Sequence, residues 1–319
     1  MKRVLAFLLI LTIAFSFTAC APKTEAPAAP APAAAPEAAA PAPAPAKTVY
    51  LITMDKMDQH WVTVDSGAKT MAEALRLNYK WDAPDVKDNA KQIEAVNNAV
   101  ADKADLILLA ANDPQAISEA VKNAKAKGVK IIYVDSAADE PAIATLSTNN
   151  YQAGVLAGQT MVEELKAAGK ASGKIGIISV NTATNSTMNR ENGFREVVTA
   201  AGYTILTTEY KDGDAAASQE AAYGFIAGNE DLVGLYGTNE GSTVGVGNAI
   251  KASGKSLIGI GFDKSDAILG LLKDGSLKAA MAQNPFTMGY LGVAQAYAAL
   301  NDKSTGPAVI DTGVAILRK

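Results

Sequence analysis

Strand-length apolar runs that alternate with amphipathic helical stretches predict an α/β protein built of two doubly wound parallel-sheet domains. Three observations carry this prediction. The runs are short and rich in β-branched residues, as strands are. They are separated by stretches long enough to be helices, which implies parallel strands covered on both faces. The alternation occurs twice, in two halves of roughly 100 residues or more each.

Residues 49–54 read as the first strand and 62–77 as the first helix. Tyr79, Lys80 and Trp81 lie on a short strand, where Trp81 is a packing residue. Residues 105–110 read as a strand, 114–126 as a helix and 130–134 as the next strand. After a short run at 142–146 a helix begins near Tyr151. The second half follows with strand 174–180, helix 187–201, strand 203–208 and helix 215–227. Strands 232–237 and 257–261 enclose a helix at 242–252. Gly128, Gly169 and Gly254 mark helix ends, because glycine enters the left-handed region with the least strain. No internal repeat indicates a solenoid.

Ahead of this body lies an export signal at residues 1–19. Lys2 and Arg3 give a positive start, and residues 4–17 form an apolar run too short for a membrane span. Small residues Thr18 and Ala19 precede Cys20, the single cysteine of the chain, so no internal disulfide can form. Residues 20–46 are almost entirely Ala and Pro and have no apolar face to bury. Such a tether extends roughly 80 Å at about 3.1 Å per residue. Loss of Lys2 and Arg3 with the signal takes the formal net charge from −4 to −6, which disfavours nucleic acid as a partner.

Ligands of open parallel sheets bind beyond the carboxyl ends of the strands, so the polar residues there are the candidate site. The first strand leads into Asp58, His60 and Trp61. Later strand ends supply Asp135, Ser136, Asn239 and Asp263, and Gln283 and Arg190 join them from nearby segments. Carboxylates, amides, a guanidinium and an indole suit a polyhydroxyl ligand. Each sugar hydroxyl both donates and accepts, and the sugar's C–H face packs on an aromatic ring.

These residues resemble a known family. The segments Asp58-Gln59-His60-Trp61, Val134-Asp135-Ser136, Asn149-Asn150, Arg190-Glu191-Asn192-Gly193-Phe194, Thr238-Asn239-Glu240, Gly261-Phe262-Asp263 and Ala282-Gln283-Asn284-Pro285 stand in the order of the type I periplasmic sugar-binding proteins of ABC transporters. That group includes the ribose and galactose binders, and the resemblance runs from about Lys47 to the C-terminus. It implies a type I periplasmic-binding fold with three chain crossings at a hinge, near residues 148–150, 283 and 311–312. The lobes would be 47–148 plus 284–311 and 149–283 plus 312–319.

The resemblance also implies roles. Asp135, Arg190, Asn239, Asp263 and Gln283 hydrogen-bond the ligand, with Ser136 beside them, while Asp58, His60 and Trp61 on the first-strand loop supply a polar contact and aromatic walls. The ligand is a small sugar or polyol and the partner an ABC permease. The protein acts as a monomer without cofactor or metal. Cys20 and its neighbours resemble a bacterial lipobox, with Phe17 in place of the usual leucine, which implies lipidation of Cys20 and anchoring to the cell envelope.

Three departures stand out. Ser136 replaces the arginine of the ribose binders, Gly213 stands where an aromatic residue is usual, and no Asp-rich calcium loop is present. Phe286 is a candidate to restore an aromatic wall.

Other readings of the same residues stay open. Asp135, Asn239 and Asp263 also suit helix caps. Trp61 suits the core, Arg190 a solvated helix start, and His60 either role. Asp212 and Asp214 suit a turn with Gly213 rather than a metal site. An enzyme is disfavoured because no nucleophile elbow, phosphate loop or metal cluster is visible, and one His and one Cys leave little triad chemistry. A sensor that presents its ligand to a membrane receptor would share every pocket residue. A repressor would need a DNA-binding head where the signal and tether stand.

Overall fold

The computed structural model describes residues 46–319; the signal, Cys20 and tether residues 20–45 lie outside the described residues. The chain runs β1 (Thr48–Ile52), α1 (Gln59–Ala74), β2 (Asn78–Asp82), α2 (Asn89–Ala101), β3 (Leu106–Leu109), α3 (Pro114–Ala126), β4 (Lys130–Val134), β5 (Thr145–Ser147) and α4 (Asn150–Ala167). It continues with β6 (Lys174–Ser179), α5 (Asn185–Ala200), β7 (Thr204–Ile205), β8 (Glu209–Tyr210), α6 (Ala215–Gly228), β9 (Leu232–Gly237), α7 (Glu240–Ser253), β10 (Ile258–Phe262) and α8 (Asp266–Asp274). It ends with β11 (Ala279–Gln283), α9 (Pro285–Leu300), β12 (Val309–Asp311) and β13 (Val314–Arg318).

Two sheets result. The first is all parallel, in the order β12-β5-β4-β3-β1-β2. The second runs β13-β11-β10-β9-β6-β7, with β8 also paired to β6. It is parallel except for β13, which lies antiparallel on β11 at the sheet edge. The chain passes between the sheets after β5, after β11 and between β12 and β13.

Burial on both sheet faces explains why the strands read as unbroken apolar runs. Val49, Leu51, Leu106 and Leu108 enter one core cluster, while their neighbours Tyr50, Ile52, Ile107 and Leu109 enter the cluster on the other face. Each such side chain is worth about 1.5–3 kcal/mol on full burial. In the second sheet Ile175 and Ile177 face one cluster and Ile178 the other. Gly128, Gly169 and Gly254 follow helix ends at positive φ. Trp81 packs against the first cluster, and its Nε1 donates to Thr53 Oγ1 at 2.9 Å.

The expected strand at 203–208 is broken into β7 and β8, each paired only with β6 at the sheet edge. The expected helix at 62–77 starts and ends three residues earlier, at Gln59 and Ala74. Helices α2, α8 and α9 complete the layers.

Glycines let the helices that carry site residues pack backbone to backbone. A Cβ on Gly154 of α4 would lie 2.1 Å from Arg190 O of α5, and one on Gly289 of α9 would lie 1.9 Å from Val64 O of α1. Gly154→Ala should therefore push α5 off α4 and lower stability by about 1–3 kcal/mol, as overpacking does. Denaturant melts would show it.

Candidate binding cleft

The strand ends of both sheets meet in one cleft. Asp58, His60 and Trp61 follow β1, Asp135 follows β4, Asn239 follows β9, Asp263 follows β10, and Gln283 closes β11. With Arg190 they line a single space. Ser136 does not line it, because its hydroxyl donates to Ser186 Oγ at 2.8 Å. Phe286 does not line this space either: it is 42% exposed, stacks on Tyr290, and lines an adjoining pocket with His60, Asp263 and Gln283. His60 and Trp61 sit in the first turn of α1 rather than in the loop expected for them, and Asp58 is its N-cap residue. Trp61 is both core and wall. It packs in the first core cluster, lines the cleft, and donates from Nε1 to Asp55 Oδ2 at 3.2 Å.

The capping alternative holds for Asn239 alone. Its Oδ1 accepts from Ser242 N at 3.1 Å at the start of α7, and the residue still lines the cleft. Asp135 and Asp263 instead adopt left-handed backbone, with φ 62° and 75°, and Ser265 caps α8. Non-glycine residues at positive φ cost free energy and concentrate at functional sites. Here the conformation turns both carboxylates into the cleft. Asp212 and Gly213 form the expected turn at positive φ, and Asp214 caps α6.

A buried polar chain runs across the floor. Arg190 comes from the second turn of α5 and is 2% exposed. Its Nε donates to Asn150 Oδ1 at 2.7 Å and its Nη1 to Thr238 O at 3.0 Å. The guanidinium lies 3.8 Å over the Phe262 ring, and Nη2 stands 4.0 Å from Asp135 Oδ2. His60 Nε2 lies 3.1 Å from that same oxygen, off the line of a good hydrogen bond, and Nδ1 lies 3.6 Å from Asp263 Oδ1. Gln283 Nε2 donates to Asp263 Oδ1 at 2.6 Å. Three buried polar atoms here have no hydrogen-bond partner among the described residues: His60 Nε2, Arg190 Nη2 and Gln283 Oε1. Unpaired buried groups are costly, so such a cluster marks hydrogen-bonding capacity held for a ligand.

Lys87, which the sequence did not single out, joins the cleft, and Glu240, noted in the sequence beside Asn239, bridges the lobes next to it. Lys87 Nζ donates to Asp55 Oδ2 at 2.5 Å and to Asp58 Oδ2 at 3.3 Å. Glu240 reaches from the start of α7 to the other lobe, where its oxygens accept from Gln59 N and His60 N at 3.0 Å each. Those are orphan donors at the first turn of α1, where a carboxylate also meets the helix dipole. Thr184 Oγ1 donates to Asn112 O at 2.7 Å, and Asp266 N donates to Gln59 Oε1 at 3.0 Å, so the two lobes are joined along the cleft.

Electrostatics follow from this crowding. Burial, with Asp58 and Asp263 close by, pushes the Glu240 pKa up to about 7. Burial also pushes Asp58 up, with Asp55 and Asp263 adding to it against Lys87. Burial opposes a charged His60, but Asp135 and Asp263 outweigh it and hold the imidazole above its ordinary value. Burial likewise opposes ionised Asp135, but His60 and Arg190 outweigh it and hold the carboxyl below its usual range.

The family model for the periplasmic binding protein domain matches residues 49–304. The chain belongs to the periplasmic binding protein family. This periplasmic binding protein is 26% identical to the ribose import binding protein of Haemophilus influenzae over 251 residues, 78% of this chain and 84% of that one. It is 28% identical to the D-apiose import binding protein of Actinobacillus succinogenes, over 75% and 77% of the two chains. A carbohydrate transporter solute-binding protein of Agrobacterium radiobacter, solved with D-arabinose, superposes with a TM-score of 0.83 at 30% identity, covering 86% of this chain and 95% of that one. A solute-binding protein of Agrobacterium vitis, solved with D-fucose, gives 0.79 at 30% identity over 85% and 95%. Among the described residues, no helix of this periplasmic binding protein is long and apolar enough to cross a membrane, and no group of side chains suits a metal ion.

Proposed function

We propose that this periplasmic binding protein captures a small sugar or polyol in the cleft between its lobes, closes on it and delivers it to the permease of an ABC importer. One observation carries the reading. Side chains from both lobes converge on one buried space and leave three polar atoms there unpartnered. Asp58, Asp135 and His60 of the first lobe and Arg190, Asn239, Asp263 and Gln283 of the second would share the ligand's hydroxyls, with Trp61 against its C–H face. Shared contacts favour the arrangement in which the lobes meet. The functions of the relatives, ribose and D-apiose import, support transport rather than sensing or catalysis. The exported chain would be anchored through lipidated Cys20, with residues 20–46 holding a monomeric body off the membrane.

A thermal-shift panel of pentoses, hexoses, deoxy sugars and inositols tests the reading. A ligand at 100 times its dissociation constant adds about 2.7 kcal/mol of stability. One clear stabiliser names the solute. A flat response across the panel would remove the sugar reading.

Closure should also consume protons. Burial between the lobes, with Asp58 of the opposite lobe close by, raises Glu240, so parted lobes would relax its pKa toward 4.5. The Glu240 value is raised when the lobes meet, so the closed form binds that proton more tightly than the open form. Closure is favoured at low pH and weakens as pH rises through about 7. Affinity should therefore be roughly tenfold tighter at pH 6 than at pH 8, the scale of about 1.4 kcal/mol. Glu240→Gln should flatten the profile. Affinity that rises with pH over this range would reverse the assignment.

A further inference from the structure

We propose that Lys87 is a specificity-determining ligand contact, whose buried ammonium donates its third proton to an acceptor oxygen of the bound sugar. The inference rests on the sugar reading and adds to it the polarity required of one ligand group.

Lys87 lies between β2 and α2 in the first lobe, with only 8% of its side chain exposed. Its Nζ stands on the wall of the cleft beside Asp58 and Asn239. An ammonium has three protons, and the described residues offer two acceptors, Asp55 and Asp58. Asp55 has other donors besides the lysine. Its Oδ1 already accepts from Met57 N at 2.8 Å and Asp58 N at 3.0 Å, and its Oδ2 from the Trp61 indole at 3.2 Å. Asp58, the second acceptor, itself lines the cleft. Burial works against the lysine's charge, but Asp58 and Asp55 outweigh it and hold its pKa above the ordinary value. The ammonium therefore stays a donor at neutral pH.

The opposite lobe is shaped to admit it. A Cβ on Gly213 would lie 2.7 Å from Asn239 Nδ2 and 3.2 Å from Lys87 Nζ. Residue 213 itself thus brings only backbone to this point, and the Asn239 amide together with the lysine head of the first lobe fills the place a side chain at 213 would take. The wall there is a cationic donor. It suits a hydroxyl or ring oxygen and repels an ammonium, so a sugar with an amine at that position should be refused.

Titration of D-ribose, D-arabinose and D-galactose, each with its monodeoxy derivatives, against wild type and Lys87→Met tests this. The expected result is a tenfold or greater loss of affinity in the variant for the sugar that binds wild type. One deoxy position should cost affinity in wild type and cost nothing in the variant. Asp55→Asn combined with Lys87→Met removes one negative and one positive charge, and it should stay as weak as the single variant. Lys87→Gln serves the same test if the methionine variant does not fold. Wild-type affinity in Lys87→Met, recovery in the charge-balanced double variant, or deoxy penalties unchanged by the substitution would each overturn the proposal while leaving sugar binding intact. Failure of these three sugars and of the whole thermal-shift panel to bind wild type would remove the sugar reading and this proposal together.

Discussion

Arg190→Met should abolish tight ligand binding and cost about 3–5 kcal/mol of stability, the usual result of leaving one member of a buried charge pair behind. The guanidinium is held by Asn150 Oδ1 and Thr238 O and stacks on Phe262, so its loss strands two acceptors and a face of the ring. Asp135 would keep His60 alone as a cationic neighbour. Loss of a charged hydrogen bond to the ligand adds about 1.5–3 kcal/mol, which together with disorder of the floor predicts at least a 100-fold drop in affinity. Arg190→Lys should not rescue it, since one ammonium cannot reach Asn150, Thr238 and a ligand in the geometry of the planar fork. Denaturant melts and calorimetric titration measure the two parts. Unchanged stability would mean that the floor does not depend on this cation.

Asp263→Asn should leave the fold intact and weaken binding about 10- to 100-fold, the range of a lost charged hydrogen bond. Asparagine is the informative replacement because residue 263 has φ 75°, which Asn tolerates and alanine does not. The amide keeps the shape but loses the charge that draws a ligand hydroxyl and faces His60 Nδ1 at 3.6 Å. It also removes one cause of the raised Glu240 and His60 values, so the pH dependence of affinity should shrink in the same variant. Affinity and pH profile equal to wild type would take Asp263 out of the site.

The fold was legible because its strands are buried on both faces. Runs such as 49–52 and 106–109 have no polar side to confuse with a helix, and glycines past the helix ends punctuate them. The strand at 203–208 was less legible, since an edge strand that pairs with β6 in two short pieces obeys the sheet edge more than its own composition. Most of the site was legible too, because polar residues at the ends of parallel strands have one place to go. Lys87 was not, for it lies in a loop of Asp, Pro and Val with no periodicity, and its charge becomes meaningful only when α1 brings Asp58 beside it. Glu240 looks like an ordinary acidic residue in the first turn of its own helix. That it caps α1 across the cleft follows from how the lobes meet, which no local pattern encodes. Ser136 sits at the right strand end but spends its hydroxyl on Ser186, a partner 50 residues away.

A ligand seated in the cleft is held by both lobes at once. Isothermal titration of the panel's stabilising sugar against wild type, Asp58→Asn in the first lobe and Asn239→Ala in the second tests it most directly. One site per chain and a loss of about tenfold or more in each variant are expected, by the size of one hydrogen bond to a sugar hydroxyl with a charged or buried partner. Loss confined to the variants of one lobe, with the other lobe's variant at wild-type affinity, would place the ligand on a single lobe and contradict the cleft.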